Sequence, residues 1–292
     1  MIAPTARALR PEIRSGWPRP LEARARAKRI LVCPPTHYRV SYEINPWMQS
    51  DRQPDRDRAC REHGALLETL AALGHAIEWL DPVAGCPDMC FTANAAVVRG
   101  ERAFLANLPA ERRPETPHHR RWLEAHGFRT RGTRHRFGGG GDALWCGDWL
   151  LAGYGPGDRR ATDREAHEEL AEFFGVPVVS LASTDRRFYD LDMVVGVLRP
   201  DLLAACTAAL DAASVRRLQR LPGVEVLDVS LEDALGFGCN LMSDGRNVVL
   251  SDRAPGLIEA LARRGFHVVP TAVSQFMLAG GGVRCLGLDL PP

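Results

Sequence analysis

Hydrophobic positions in this chain alternate between two periods, and glycine stands where one gives way to the other. Five segments show an apolar stripe at helical spacing, then a glycine, then a short run of strand character. They are Leu67–Asp81 (LETLAALGHAIEWLD), Trp122–Thr133 (WLEAHGFRTRGT), Leu170–Ser183 (LAEFFGVPVVSLAS), Arg217–Ser230 (RLQRLPGVEVLDVS) and Glu259–Thr271 (EALARRGFHVVPT). Their glycines, Gly74, Gly127, Gly175, Gly223 and Gly265, lie 53, 48, 48 and 42 residues apart. A glycine there suits the left-handed conformation that ends a helix, so each segment predicts a helix turning into a strand.

Between these units lie runs with turn residues at the centre. They are Val97–Phe104 around Gly100, Ala143–Gly153 around Gly147-Asp148, Val194–Ala205 around Pro200, and Asn240–Ser251 around Asp244-Gly245. Each predicts a hairpin, so one repeat holds a hairpin, a helix and a further strand. A period of this size signals a propeller or solenoid whose units bury apolar faces against their neighbours, and five units fit a closed ring with a central site. An open α/β sheet with ordinary alternation fits the spacing equally well. No interdomain linker interrupts residues 29–292, which are expected to form one α/β domain; residues 1–28, rich in Arg and Pro, are expected to be a flexible arm.

Composition narrows the partners. With 292 residues, 45% hydrophobic, 37 basic against 36 acidic side chains and a net charge of +1, the chain shows no charge bias towards nucleic acid. A small molecule is the expected partner. The arm carries Arg7, Arg10, Arg14, Arg19, Arg24 and Arg26 without an apolar stretch of signal or membrane-spanning length; its other reading is a contact arm for an anionic partner. Eight scattered cysteines point to reduced thiols and a cytoplasmic location. No metal is expected, because Cys86 and Cys90 lack a second ligand pair and His118 and His119 are adjacent on a helix. No nucleotide or other cofactor is expected, because no Lys-Ser/Thr follows Gly138–Gly141.

Four dispersed segments, Leu31–Met48 (LVCPPTHYRVSYEINPWM), Pro87–Val97 (PDMCFTANAAV), the loop GGGGDAL with Asp142, and Gly280–Leu290 (GGGVRCLGLDL), resemble the dimethylarginine dimethylaminohydrolase and arginine deiminase-like branch of the amidinotransferase (pentein) superfamily. The resemblance runs from about residue 29 to the C-terminus. It implies a five-bladed α/β propeller of ββαβ units, a cysteine nucleophile at Cys285, a guanidine-bearing substrate, and a possible homodimer. The chemistry needs a thiolate, an acid for the leaving amine, and carboxylates that hold the planar guanidinium.

The sequence departs from that pattern at three polar positions. Asp190, in Phe188-Tyr189-Asp190-Leu191-Asp192, occupies the place of the family's catalytic histidine. The glycine loop Phe137-Gly138-Gly139-Gly140-Gly141-Asp142 has no carboxylate before Asp142, where the family keeps a glutamate. An Arg-His pair has become Leu108-Pro109, although Arg112 and Arg113 remain. The expected catalytic residues are therefore Cys285 and Asp190, with Asp192, Asp142, Asn94 and Arg112 binding substrate. Asp190 and Asp192, two apart on a strand, would share a face, and Asp142 nearby would crowd them and raise a pKa. Glu43 and Asn45 are read as loop scaffolding. The function expected is a divergent amidinohydrolase- or amidinotransferase-like enzyme acting on C–N bonds of an arginine-like or guanidine- or amine-bearing small molecule. The alternative is a catalytically inactive pentein that binds a ligand or a partner.

Overall fold

The structure is a computed structural model that describes residues 26–155 and 162–291. Most of the Arg- and Pro-rich arm, residues 1–25, lies outside the described residues. The arm's last residues are attached to the domain: the Arg26 backbone N–H donates to the Asp244 carbonyl at 3.1 Å, and Lys28 Nζ meets Asp289 Oδ2 at 2.9 Å.

In chain order the regular elements begin with β1 (Arg29–Val32), α1 (Arg56–Ala72) and β2 (Ala76–Trp79). Four units of one pattern follow. The first is β3 (Ala96–Arg99), β4 (Arg102–Leu105), α2 (Thr116–Ala125) and β5 (Arg129–Arg131), and the second is β6 (Ala143–Cys146), β7 (Trp149–Tyr154), α3 (Glu165–Phe174) and β8 (Val178–Ala182). The third is β9 (Val195–Arg199), β10 (Leu202–Ala205), α4 (Ala212–Gln219) and β11 (Glu225–Asp228). After a short α5 (Leu231–Leu235) comes the fourth: β12 (Met242–Ser243), β13 (Asn247–Ser251), α6 (Pro255–Arg263) and β14 (His267–Thr271). The chain then reaches β15 (Leu288–Leu290).

Five three-stranded sheets result, each with its first strand antiparallel and its last strand parallel to the middle one. All five punctuating glycines adopt φ between 70° and 89°, so the helix-to-strand steps form where the sequence put them. The four hairpins form as well. The fifth has no local signature, because its strands come from opposite ends of the chain. β15 lies antiparallel to β1, with Arg29 opposite Leu290 and Leu31 opposite Leu288.

The first strand of each sheet faces the centre: β3 abuts β15, and β9 abuts both β6 and β12. Short 3-10 turns lead into four of these inner strands, at Thr92–Ala95, Gly139–Gly141, Leu191–Met193 and Arg284–Leu286, and touch one another in a belt. Inner strands therefore start at the belt and end at the hairpin turns Gly100, Gly147, Pro200 and Gly245.

Outside the inner strands, apolar residues fill the spaces between sheets, as with Leu31, Leu105, Leu123 and Leu288 in one cluster and Leu150, Phe104, Phe137 and Leu170 in another. Local chemistry agrees with these boundaries: Asp55 caps α1 by accepting from Arg58 N at 2.9 Å, and Asp211 caps α4 by accepting from Ser214 N at 2.6 Å.

Leu288→Ala removes a fully buried side chain from the closing strand. We expect it to destabilise the protein by about 2–5 kcal/mol in urea unfolding. A negligible change would show that closure by β15 does not support the fold.

Candidate active site

On the side of the belt away from the hairpin turns, a cavity of about 320 Å³ is lined by Asn94, Arg112, Gly138, Tyr189, Asp190 and Cys285, with Glu43, Glu111 and Arg136 also contributing to its wall. Cys285 sits in the Arg284–Leu286 turn and is buried. Asn240 fixes it. The Asn240 Nδ2 donates to Cys285 Sγ at 3.1 Å, while its Oδ1 accepts the backbone N–H groups of Arg284 at 2.9 Å and Cys285 at 3.4 Å. The preceding loop holds Phe237 at φ 63° with its ring against Trp47, a conformation that costs a non-glycine residue about 1–2 kcal/mol. Glycine is required at 282, where a Cβ would stand 2.6 Å from Asn240 Oδ1.

Burial pushes the Cys285 thiol well above its ordinary pKa, and the charges of Asp192 and Asp190 push it further. A hydrogen bond from the Gly282 backbone and one from Asn240 pull it back. Unliganded, the sulfur is a thiol.

Asp190 lines the same cavity. Its Oδ2 accepts from Asn94 Nδ2 at 3.2 Å, and its buried Oδ1 has no hydrogen-bond partner. A Cβ on Gly141 would lie 2.6 Å from both groups, so the glycine loop admits this contact. Burial raises the Asp190 pKa well above the carboxylate range, with Asp142 and Asp192 adding to the rise, so the expected crowding is present. Asn94 is held on three sides: its Nδ2 also donates to Gly138 O at 2.8 Å, and its Oδ1 accepts from Arg112 Nη1 at 3.1 Å. Arg112 itself makes a forked contact with Glu115, Nε to Oε1 at 3.0 Å and Nη2 to Oε2 at 2.9 Å. Asp88 stands 3.9 Å from Arg112 Nε, and burial lifts its pKa to about 6 despite that cation.

The other two expected ligand contacts lie elsewhere. Asp142 does not line this cavity; its Oδ1 accepts from Leu191 N at 2.8 Å and so shapes the turn that carries Asp190. Asp192 lines a different cavity beyond the belt and meets Cys285 from behind, its Oδ2 accepting from Sγ at 3.7 Å. Asp190 and Asp192 were expected on one face of a strand. Instead Asp190 is the extended residue that precedes the Leu191–Met193 3-10 turn and Asp192 lies within it, so the two point in different directions. Glu43 accepts from Ser50 N and Oγ, and Asn45 bridges Ala279 O to the Trp47 N–H; both stabilise loops at the cavity rim.

Asn240 and Tyr189 were not singled out from the sequence. Asn240 stands just before the β12–β13 hairpin without any motif, and Tyr189 is recognisable only through its hydroxyl bond to Gly280 O at 2.9 Å. Among the described residues no cluster of three or more His, Cys, Asp or Glu could hold a metal ion, and no helix is long and apolar enough to cross a membrane.

A family profile described as N,N dimethylarginine dimethylhydrolase, eukaryotic, matches residues 41–290. The chain belongs to the dimethylarginine dimethylaminohydrolase family. It is 36% identical over 274 residues to the N(G),N(G)-dimethylarginine dimethylaminohydrolase of Mycobacterium tuberculosis, covering 94% of this chain and 89% of that protein. It is also 36% identical over 267 residues to the bifunctional arginine dihydrolase/ornithine cyclodeaminase ArgZ of Synechocystis, covering 89% of this chain but 37% of that longer protein. Both relatives are hydrolases that act on carbon–nitrogen bonds.

Among solved structures, an N-terminal domain of ArgZ covalently bound to a reaction intermediate superposes with TM-score 0.85 at 34% identity, covering 90% of this chain and 98% of that one. A dimethylarginine dimethylaminohydrolase adduct shares the fold at TM-score 0.72 and 17% identity. The fold of this family member is thus the five-bladed pentein α/β propeller that the resemblance implied, and not the open sheet that fitted the repeat spacing equally well.

Two outcomes test the site. Because burial raises the Asp192 pKa to about 7, Asp192 is protonated when folded but ionised when unfolded between about pH 4 and 7. Its contribution to stability is therefore present below pH 4 and lost as pH rises to 7. Asp192→Asn should gain stability over the parent across that window and hold the gain above it, as read by urea unfolding at pH 4, 6 and 8; a pH-independent difference would contradict the raised pKa. Arg112→Ala strands buried Glu115 and Asp88, and should cost about 3–5 kcal/mol by the same measurement.

Proposed function

We propose that residues 29–292 form one domain and that it breaks a C–N bond of a guanidine- or amidine-bearing small molecule. Cys285 is the nucleophile, and Asp190 is the proton carrier where the family usually has histidine. One observation carries this reading: the Asp190 Oδ1 is buried and unpartnered in the same cavity as the Cys285 thiol. A planar cation bound there displaces the Asp190 proton to solvent and satisfies the bared oxygen, and its N–H groups also favour the thiolate.

In this scheme the thiol proton passes to Asp190 as sulfur bonds to the cationic carbon. Asp190 then protonates the departing nitrogen as the C–N bond breaks. Water adds to the S-linked amidinium and gives its proton to Asp190; the C–S bond breaks, and the same proton returns to sulfur. An ordinary aspartate is a poor acid near neutrality. Burial beside Asp142 and Asp192 raises the affinity of Asp190 for a proton, which suits it to this role.

A second reading, binding without turnover, is favoured by a separate observation. No histidine lines the cavity among the described residues, and Gly138 offers only its carbonyl where the resemblance implies a glutamate.

Intact-mass measurement after incubation with L-arginine, dimethylarginine or agmatine, together with an assay for released amine, separates the two. The enzyme reading expects amine release, a mass adduct on Cys285, loss of both in Cys285→Ser, and a fall in turnover of about 10²–10⁴-fold in Asp190→Asn. Saturable binding with neither adduct nor amine would establish the binding protein instead.

A further inference from the structure

Beyond the belt, the inner strands enclose a second cavity of about 650 Å³, roughly twice the first, that reaches the hairpin turns at Gly147, Pro200 and Gly245. The belt is the wall between the two cavities, and its turns give alternate residues to each: Asp190 to one and Asp192 to the other, Cys285 to one and Arg284 to the other, Gly138 to one and Gly140 to the other. The second cavity's walls are largely apolar, with Val97, Leu144, Trp145, Val197, Leu241 and Leu288 contributing.

Most of its charges are committed. Lys28 pairs with Asp289 at 2.9 Å, Arg199 pairs with Asp201 at 3.0 Å, and Arg284 Nη1 donates to Gly287 O at 2.6 Å. Asp244 accepts from the backbone N–H groups of Arg246 and Asn247 and from the Asn247 amide. Two of its carboxylates keep a buried oxygen without a hydrogen-bond partner, Asp289 Oδ1 and Asp192 Oδ1. Asp289 has Lys28 on its other oxygen, whereas Asp192 is 1% exposed and its Oδ2 meets the thiol at 3.7 Å, with the Arg284 charge acting on it from the same cavity.

We propose that this cavity is a second ligand site, for a small organic cation with an apolar body, whose ammonium or amidinium group binds Asp192 at the belt. A buried carboxylate oxygen without a donor is costly, and a charged N–H group offsets that cost while the alkyl or aryl body covers the apolar walls. The site also bears on the first one. A cation on Asp192 screens the carboxylate that faces the sulfur, so occupancy eases ionisation of Cys285 and hastens its alkylation from the other cavity.

Calorimetric titration of the full chain with n-hexylamine tests it, with and without saturating L-arginine. The expected result is one site, retained in the presence of L-arginine, weakened at least tenfold in Asp192→Asn, lost in Val197→Trp, which fills the cavity, and retained in Val197→Ala. Hexylamine should also raise the rate of Cys285 alkylation by iodoacetamide. Three results would overturn the proposal: no binding, binding displaced by L-arginine, or binding indifferent to both Asp192→Asn and Val197→Trp. If Val197→Trp does not fold, the Asp192→Asn titration and the L-arginine competition still decide.

Discussion

The pairing of β15 with β1 is the constraint on which the site depends. It joins residues more than 250 positions apart, and only with that ladder in place does the Arg284–Leu286 turn enter the belt beside turns from the first half of the chain. Cys285 lies three residues before β15, so the strand that closes the ring also carries the nucleophile candidate to the centre. Stability and the position of the thiol are consequences of one set of backbone hydrogen bonds. The entropy of closing so long a loop is offset by the apolar burial that closure completes, with Leu288 set among Leu31, Leu105 and Leu123.

The belt of 3-10 turns then divides the channel. A strand would send residues two apart to the same side, whereas a tight turn sends them to different sides. Asp190 and Asp192 are thereby separated into two cavities while remaining close enough for each to raise the proton affinity of its surroundings. Asp142 completes the group from beneath, holding the Leu191 backbone. Burial holds Asp190, Asp192 and the Cys285 thiol towards their protonated forms, and that shared cost is what makes protons in this region responsive to an incoming cation.

Around this group the structure spends donors economically. Asn94 and Asn240 each use the amide nitrogen on an acidic partner and the amide oxygen on a donor, and Arg112 locks Asn94 while Glu115 locks Arg112. Such chains fix side chains in one orientation, because each member left unpaired would bear its full desolvation cost. The unpartnered oxygens of Asp190 and Asp192, like those of Asp88 and Asp289, are exceptions to that economy, and each of these residues lines a cavity.

Much of this protein was set by the sequence alone. Helix stripes ended by Gly74, Gly127, Gly175, Gly223 and Gly265, and hairpins turning at Gly100, Gly147, Pro200 and Gly245, are local properties, because periodicity and left-handed glycine act within a few residues. Cys285, Asp190, Asn94 and Arg112 could be named from dispersed motifs, and they line one cavity. Only the tertiary structure decided that the fifth hairpin joins the two ends of the chain, that Asp142 and Asp192 stand outside that cavity, and that Asn240 holds the sulfur. These depend on which turns pack against which across the ring, and long-range packing leaves no periodic trace in the residues that make it.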